Sequence, residues 1–492
     1  TAGTGRNSIC WEVHQKALDI LEGRKHDPTF YPVVYSTPPE ADWTDPRVWK
    51  AVNPSLGKTV DMEYYRAACE SAVERIRIIA AKSPVSDEIT EDEQYIKYEP
   101  AAGEFKPNNG GKWKITREGG KFTEVLNTVP AEDGIDLENQ YVIPGLVDIH
   151  NHGNSGADFS DGDYDGLVKM ARYLAQNGVT SFAPASMTLP YDVLEAAYKT
   201  AVRLKKEQPE GCARLMGIQM EGPFFSEKKK GAQNGAYLRE PDFAAFKRLY
   251  DASEGLLRIV DVAAELPGAV EFAEKASKLC TVSIAHTGCT YEEASAVFDA
   301  GASHLTHLYN AMPGIHHRKP GPIGAGSERE NVVAELICDG QHIHPSAVRM
   351  AFKLFPGRIC LVSDALRCCG MPDGQYTLGG QDVFLSGGVA KLADGTLAGS
   401  ATNLYDCMRK AVEFGIPKEQ AILSATLIPA RELGCEAEIG SIAVGKRADF
   451  AVCDSLLCRK AVYVGGCKIV KESSILKMNG DPNGGSHFCC KC

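Results

Sequence analysis

From residue 141 onward, short apolar runs alternate with longer segments whose apolar residues recur at helical spacing. Eight such runs stand out, at 146–150, 180–185, 215–221, 257–263, 280–286, 304–308, 333–339 and 359–364. Runs of this length without strict alternation read as strands covered on both faces, the pattern of a parallel sheet. The segments between them read as helices: over 164–177, Leu167, Met170, Ala171 and Leu174 share one face and Gly178 supplies the stop. Strands and helices in alternation predict an α/β fold, and eight strands close a (β/α)8 barrel of the TIM type. The span from 146 to about 436 suits such a barrel, typically about 250 residues plus insertions.

The flanks read differently. Residues 440–453 and 461–470 predict strands joined by tight turns, and with 112–143 they predict a small β-sandwich domain. Upstream, 83–120 is polar and Gly-containing, with a turn signal at Asn108-Asn-Gly-Gly. Residues 1–73 are rich in Trp, Tyr and Pro. The expected organisation is an extra amino-terminal segment (1–75), the first part of the small β domain (76–145), the barrel (146–436), the second part of the β domain (437–472) and a flexible tail (473–492). That tail ends in His487-Phe-Cys-Cys-Lys-Cys, which reads as a disordered end more readily than as a soft-metal trap.

Composition narrows the function. The 492 residues carry 53 Lys plus Arg against 64 Asp plus Glu, a formal charge of −11, which argues against a nucleic-acid glove. At 44% hydrophobic and 24% charged, the chain is that of a globular protein with a full core. No apolar run approaches the roughly 18 residues that span a bilayer, and no export signal opens the sequence, so a cytoplasmic location with its 17 cysteines reduced is expected.

The chemistry sits at the carboxyl ends of the eight runs, the face where barrels of this type build their sites. Run one ends in His150-Asn-His152, run three in Glu221, run five in His286, run six passes through His307, and run eight ends in Asp364. Singly, each has an ordinary reading: a satisfied histidine, a loop carboxylate, a helix cap. Together they form a set of imidazole and carboxylate donors suited to zinc, iron or a similar divalent ion. His150 and His152, two apart on a strand, point to one face and can grip one ion. An ion beside an aspartate is a hydrolytic arrangement, in which the metal acidifies water and polarises a carbonyl while Asp364 accepts and returns the proton. Neither a dinucleotide fingerprint nor a phosphate-binding loop is present.

Several stretches carry a resemblance: Val142-Ile-Pro-Gly-Leu-Val-Asp-Ile-His-Asn-His-Gly, Met220-Glu-Gly-Pro-Phe, Lys229-Lys-Gly-Ala-Gln, Thr306-His-Leu-Tyr-Asn-Ala-Met-Pro, Leu361-Val-Ser-Asp and Gly395-Thr-Leu-Ala-Gly-Ser. From about 141 to 470 the chain resembles the N-acetylglucosamine-6-phosphate deacetylases of the amidohydrolase superfamily. The resemblance implies a metal-dependent hydrolase barrel and a homodimer acting on a small amino-sugar phosphate, with no nucleic-acid or membrane partner. It implies Glu221, His286 and His307 as ligands of a main metal and Asp364 as acid/base, with His150 and His152 offering a second metal position. Gln233, Ala232, Asn310, Ala311, His342, Leu397, Ala398 and Gly399 match substrate-holding positions, and Arg318 matches a phosphate-binding arginine that often reaches across a dimer interface. Gln233 departs from the family, whose other members place a His there to polarise the acetyl carbonyl. The nearest enzymatic alternative is a deacetylase for the galactosamine epimer or another amidohydrolase. Residues 1–73 resemble a fragment of a phage terminase large subunit, without its phosphate loop or nuclease carboxylates. A phage-derived fusion carrying an inert barrel is therefore the non-enzymatic alternative.

Overall fold

The computed structural model describes residues 114–126, 137 and 140–469. All the described residues fall within one compact unit of the chain. The readings of 1–75, of the turn signal at 108–111 and of the tail from 473 lie outside the described residues.

Eight parallel strands make the central sheet: β1 (Leu146–Asn151), β2 (Val179–Ser186), β3 (Ile218–Met220), β4 (Leu257–Val262), β5 (Thr281–Ile284), β6 (His304–Leu305), β7 (Val333–Ile337) and β8 (Ile359–Val362). They follow one another in sequence order around the sheet, with the short strand Arg214–Leu215 also paired to β2. Each overlaps one of the eight expected runs. The ring closes just beyond the strands, through a parallel bridge between Asn151 and Ala365 and the Asp364 N–H donating to the His150 carbonyl at 2.9 Å.

Helices cover the outside. The first is Tyr164–Gln176, capped by Asp163 accepting from the Gly166 N–H and followed by Gly178 at φ +88°. It buries Leu167, Met170, Ala171 and Leu174, as the periodicity predicts, and Ala175 as well. Val147, Ile149, Ile259, Ile337 and Val362 form a second cluster drawn from β1, β4, β7 and β8, so it fills the ring, and Ile428, Leu433 and Ile439 join it from the segment around helix Leu427–Glu432. That segment sits at the amino end, where the Val147 N–H donates to the Ala425 carbonyl.

The small β region pairs Tyr141–Pro144 with Phe450–Cys453, then Arg459–Val464 and Cys467–Lys468, all antiparallel. A hairpin, Lys114–Glu118 with Lys121–Leu126, turns on Gly119 and Gly120 and shares a core with it through Phe122, Val125, Phe450 and Val452. A three-stranded sheet (Gly374–Leu378, Gln381–Ser386, Val389–Leu392) follows β8 and has no counterpart in the expected elements. Val383 and Leu385 face its core while Asp382, Phe384 and Ser386 face solvent, a period of two that is legible once sought. Among the described residues, no helix is long and apolar enough to cross a membrane.

Candidate metal centre and cavity

His150 lies within β1, His152 one residue beyond it, and Glu221 directly after β3. His286, His307 and Asp364 each stand two residues past the ends of β5, β6 and β8. All three adopt positive φ, at +43°, +31° and +46°. For a residue with a Cβ that region costs roughly 1–2 kcal/mol, and such strain gathers at functional sites. Here each residue breaks the strand direction and turns its side chain across the mouth of the barrel. Strand β6 is therefore shorter than its apolar run, and His307 belongs to the turn that follows it. Gly399 makes the opposite bargain: a Cβ there would lie 2.5 Å from the Asp364 carbonyl oxygen and 2.9 Å from Asp364 Oδ1, so only glycine admits that approach.

The four imidazoles converge on Glu221. Its Oε1 is 3.2 Å from His286 Nε2, 3.1 Å from His307 Nε2 and 3.5 Å from His150 Nε2, and its Oε2 is 3.2 Å from His152 Nε2. Asp364 Oδ1 stands 3.3 Å from His152 Nε2 and 3.6 Å from His150 Nε2. His286 and His307 face each other nitrogen to nitrogen at 3.0 Å, and His150 and His152 at 3.3 Å. Tetrahedral zinc with ligands at about 2.0–2.1 Å sets its donors roughly 3.3–3.4 Å apart. Two overlapping groups, His150/His152/Glu221 and Glu221/His286/His307, thus have the donor types and separations of divalent-cation ligands. The outer ring nitrogens fix the ring orientations: His286 Nδ1 lies 2.9 Å from the Lys229 carbonyl, and His152 Nδ1 3.0 Å from that of Ala185.

Burial opposes charge at His150, Glu221 and Asp364, yet their mutual attraction wins. The His150 and His152 imidazoles hold Glu221 and Asp364 below the usual carboxylate range. Glu335, Asp364 and Glu221 in turn push His150 up to about 10.

Beneath this cluster lies a polar layer that sequence reasoning missed. Glu335, on β7 and fully buried, accepts from His150 Nδ1 at 2.8 Å and from the His307 N–H at 3.1 Å. Its other oxygen is 3.2 Å from His304 Nε2, whose Nδ1 meets Glu432 at 2.6 Å, and these carboxylates push His304 up to about 10 despite burial. Asp261, on β4, accepts from Thr306 Oγ1 at 3.0 Å and from Gln219 Nε2 at 3.2 Å. Burial pushes Asp261 up to about 8, with the Glu221 and Glu335 charges adding to it. Asp148 accepts from Ser363 Oγ at 2.6 Å, and burial raises it to about 6. These residues sit inside apolar runs, where their only signal was a polar residue at a buried strand position.

A cavity of about 370 Å³ opens over the cluster. Its wall includes His152, Glu221, His286, His307 and Asp364 together with Ala232, Gln233, Asn310, Ala311, His342 and Leu397–Gly399. His150 is buried beneath it. Arg318 does not line the cavity of its own chain: it is exposed, 2.6 Å from His317 Nε2. Lys228, Lys229 and Thr396 line the cavity without having been anticipated. Gln233 is held at both ends, its Nε2 donating to Glu221 Oε2 at 2.6 Å and its Oε1 accepting from the Thr188 N–H at 2.8 Å.

Residues 141–483 match the model of the Amidohydrolase family. This chain belongs to that family. Its amidohydrolase region is 37% identical to an N-acetylgalactosamine-6-phosphate deacetylase of Escherichia coli O157:H7, over 67% of this chain and 88% of that protein. It is 36% identical to an N-acetylglucosamine-6-phosphate deacetylase of Vibrio furnissii, over 68% and 84%. Among solved structures it is similar to an aspartate-to-alanine mutant of N-acetyl-D-glucosamine-6-phosphate deacetylase from Mycobacterium smegmatis in complex with N-acetyl-D-glucosamine-6-phosphate. That match has a TM-score of 0.68 and 32% identity and covers 72% of this chain and 93% of that one. The amidohydrolase barrel and its His/Glu clusters together suit a divalent metal.

Proposed function

We propose that this chain hydrolyses the N-acetyl group of N-acetylglucosamine 6-phosphate, giving glucosamine 6-phosphate and acetate. The observation that carries the reading is the position of Asp364, a buried carboxylate held ionised beside two His/Glu groups on the floor of the cavity, in a chain whose relatives bear deacetylase names. Glu221, His286 and His307 would hold a main metal, with His150 and His152 offering a second position, and zinc or iron suits these donors. A bound divalent ion supplies a Lewis acid for the acetyl carbonyl and lowers the pKa of water. Asp364 takes the proton of the attacking water as the new C–O bond forms, then delivers it to the leaving nitrogen as the C–N bond breaks. Gln233 keeps one amide hydrogen on Glu221 and offers the other to the acetyl oxygen. As a neutral donor it carries no proton into the reaction. Asn310, Ala311, Ala232, His342 and Leu397–Gly399 surround the sugar phosphate, and Arg318 serves the phosphate of a partner subunit in a homodimer, where guanidinium pairs with phosphate bidentately.

The 37% identity to a protein named for the galactosamine epimer keeps that substrate as a second reading. The test is acetate release by the metal-loaded protein from N-acetylglucosamine 6-phosphate, from its unphosphorylated form and from the galactosamine epimer. Turnover of the phosphorylated gluco sugar above both others is expected, a preference for the epimer selects the second reading, and no turnover of either phosphorylated sugar by fully metallated protein overturns both.

A further inference from the structure

We infer that Asp339 is a positioning residue that locks His342 in its charged form, so that the cavity wall presents a permanent cation to the anionic end of the substrate. Asp339 stands two residues beyond β7. Its Oδ1 accepts the backbone N–H groups of Gln341 at 2.9 Å and His342 at 3.0 Å, and its Oδ2 is 2.7 Å from His342 Nδ1. On the far side of the ring, His342 Nε2 is 2.9 Å from the Ala398 carbonyl oxygen. Both partners are acceptors. A carbonyl oxygen has no hydrogen to give, and a carboxylate already receiving two N–H groups is held ionised. A neutral imidazole carries one N–H and cannot satisfy both contacts, whereas an imidazolium satisfies both.

The two side chains are only 6% and 5% exposed, so water offers little alternative to this pairing. The other charge facing the imidazole is Asp364, across the cavity, which also favours the cation. Behind the loop stand Cys338, Cys407 and Lys410, the last two on helix Leu404–Glu413. Burial opposes the charge, but Asp339 outweighs it and the imidazole titrates above its ordinary range, while Asp339 titrates below its own. The Nε2–H that holds Ala398 ties the 397–399 segment to the loop after β7, closing one side of the cavity. A phosphate oxygen arriving there is a stronger acceptor than the carbonyl and takes over that hydrogen in a charge-assisted bond. The identity of the anion rests on the function proposed above, but the charge of the imidazole does not.

The experiment therefore has two readouts on the full chain. Nitrogen-15 histidine NMR, with the signal of His342 identified by its loss in His342→Gln, reads protonation directly. Wild type is expected to keep both ring nitrogens protonated at pH values where an ordinary imidazole, titrating at about 6.5, has lost its proton, while in Asp339→Asn the ring titrates near that ordinary value. Asparagine retains the oxygen that accepts the two backbone N–H groups, so the loop is preserved. Kinetically, Asp339→Asn is expected to raise KM for the phosphorylated sugar about tenfold at alkaline pH, far less at acid pH where His342 protonates unaided, and to change kcat several times less than KM. Should Asp339→Asn not fold, His342→Gln, which removes the cation itself, is expected to raise KM at both pH values. A singly protonated His342 in wild type at neutral pH overturns the inference, as does an equal KM increase at both pH values in Asp339→Asn. If wild type turns over neither phosphorylated sugar, the proposed function fails while NMR still decides the charge, and titration with inorganic phosphate replaces KM as the measure of anion binding.

Discussion

Two layers of polar side chains share the barrel and follow different rules. The upper layer, Glu221, His286, His307 and Asp364, stands just past strand ends, three of its members in left-handed turns facing the cavity. The lower layer, Asp148, Asp261, His304 and Glu335, lies within the strands, fully buried and out of reach of substrate. The upper layer leaves its nitrogens and oxygens pointed at common centres, whereas the lower one uses its own in hydrogen bonds, among its neighbours and upward to His150 Nδ1 and the His307 N–H. A buried charge is tolerated only when it is paired and hydrogen-bonded. The upper layer can meet that demand with a metal, and the lower layer meets it with hydrogen bonds, two of which, from Glu335, reach His150 and the His307 backbone above.

The sharpest way to break this comparison is Asp364→Asn. It should lower kcat by about 10²–10⁴-fold while metal content, read by elemental analysis, stays that of wild type. A variant retaining a tenth of wild-type turnover would dismiss Asp364 as the proton carrier. Next in size is Glu335→Gln, which touches neither cavity nor substrate. If the lower layer orients the upper, metal affinity measured by chelator competition should fall by about 10–100-fold, with His150 and the His307 backbone losing their charged anchor. Affinity equal to wild type would mean the two layers are independent.

The smallest effect is the pH dependence owed to Asp261. Its folded pKa, raised to about 8 by burial, exceeds that of an unfolded aspartate, so the native state holds the extra proton. That contribution to stability is complete below about pH 4 and is lost as pH rises through about 8. Asp148 has the same sign, but its loss is finished above its raised value of about 6. In metal-free protein, Asp261→Asn should therefore flatten the decline of unfolding free energy between about pH 6 and pH 8, by up to about 1.4 kcal/mol per pH unit for one proton. Denaturant melts across that range measure it, and slopes that match wild type would show that Asp261 is not the group holding the proton.

What the sequence by itself determined is the part of this protein that local rules encode. Apolar runs of strand length, helical periodicity over Leu167–Leu174 and a glycine stop at Gly178 are properties of neighbouring residues, and they located all eight strands. The same locality exposed His150, His152, Glu221, His286, His307 and Asp364, because a polar residue at the end of an apolar strand is visible without knowing its neighbours in space. The three-stranded sheet after β8 was just as local, in the alternation of Val383 and Leu385 with exposed neighbours, but the barrel pattern drew the reading past it.

Only the tertiary structure decided what those residues touch. Closing the ring brings Glu335 onto His150, 185 positions away in sequence, and Ser363 onto Asp148, 215 positions away. No periodicity encodes a pairing at that range, because which strand interiors face one another depends on ring closure and on the register of every intervening strand. The same holds for Asp339 and His342: their spacing allows the contact, but the Ala398 carbonyl, the second acceptor on the ring, arrives from a different loop. Arg318, matched by motif alone, does not line the cavity of its own chain. Strand order and the candidate site residues were thus legible locally, while their pairing, their orientation and the division into a cavity-facing and a buried layer came from packing.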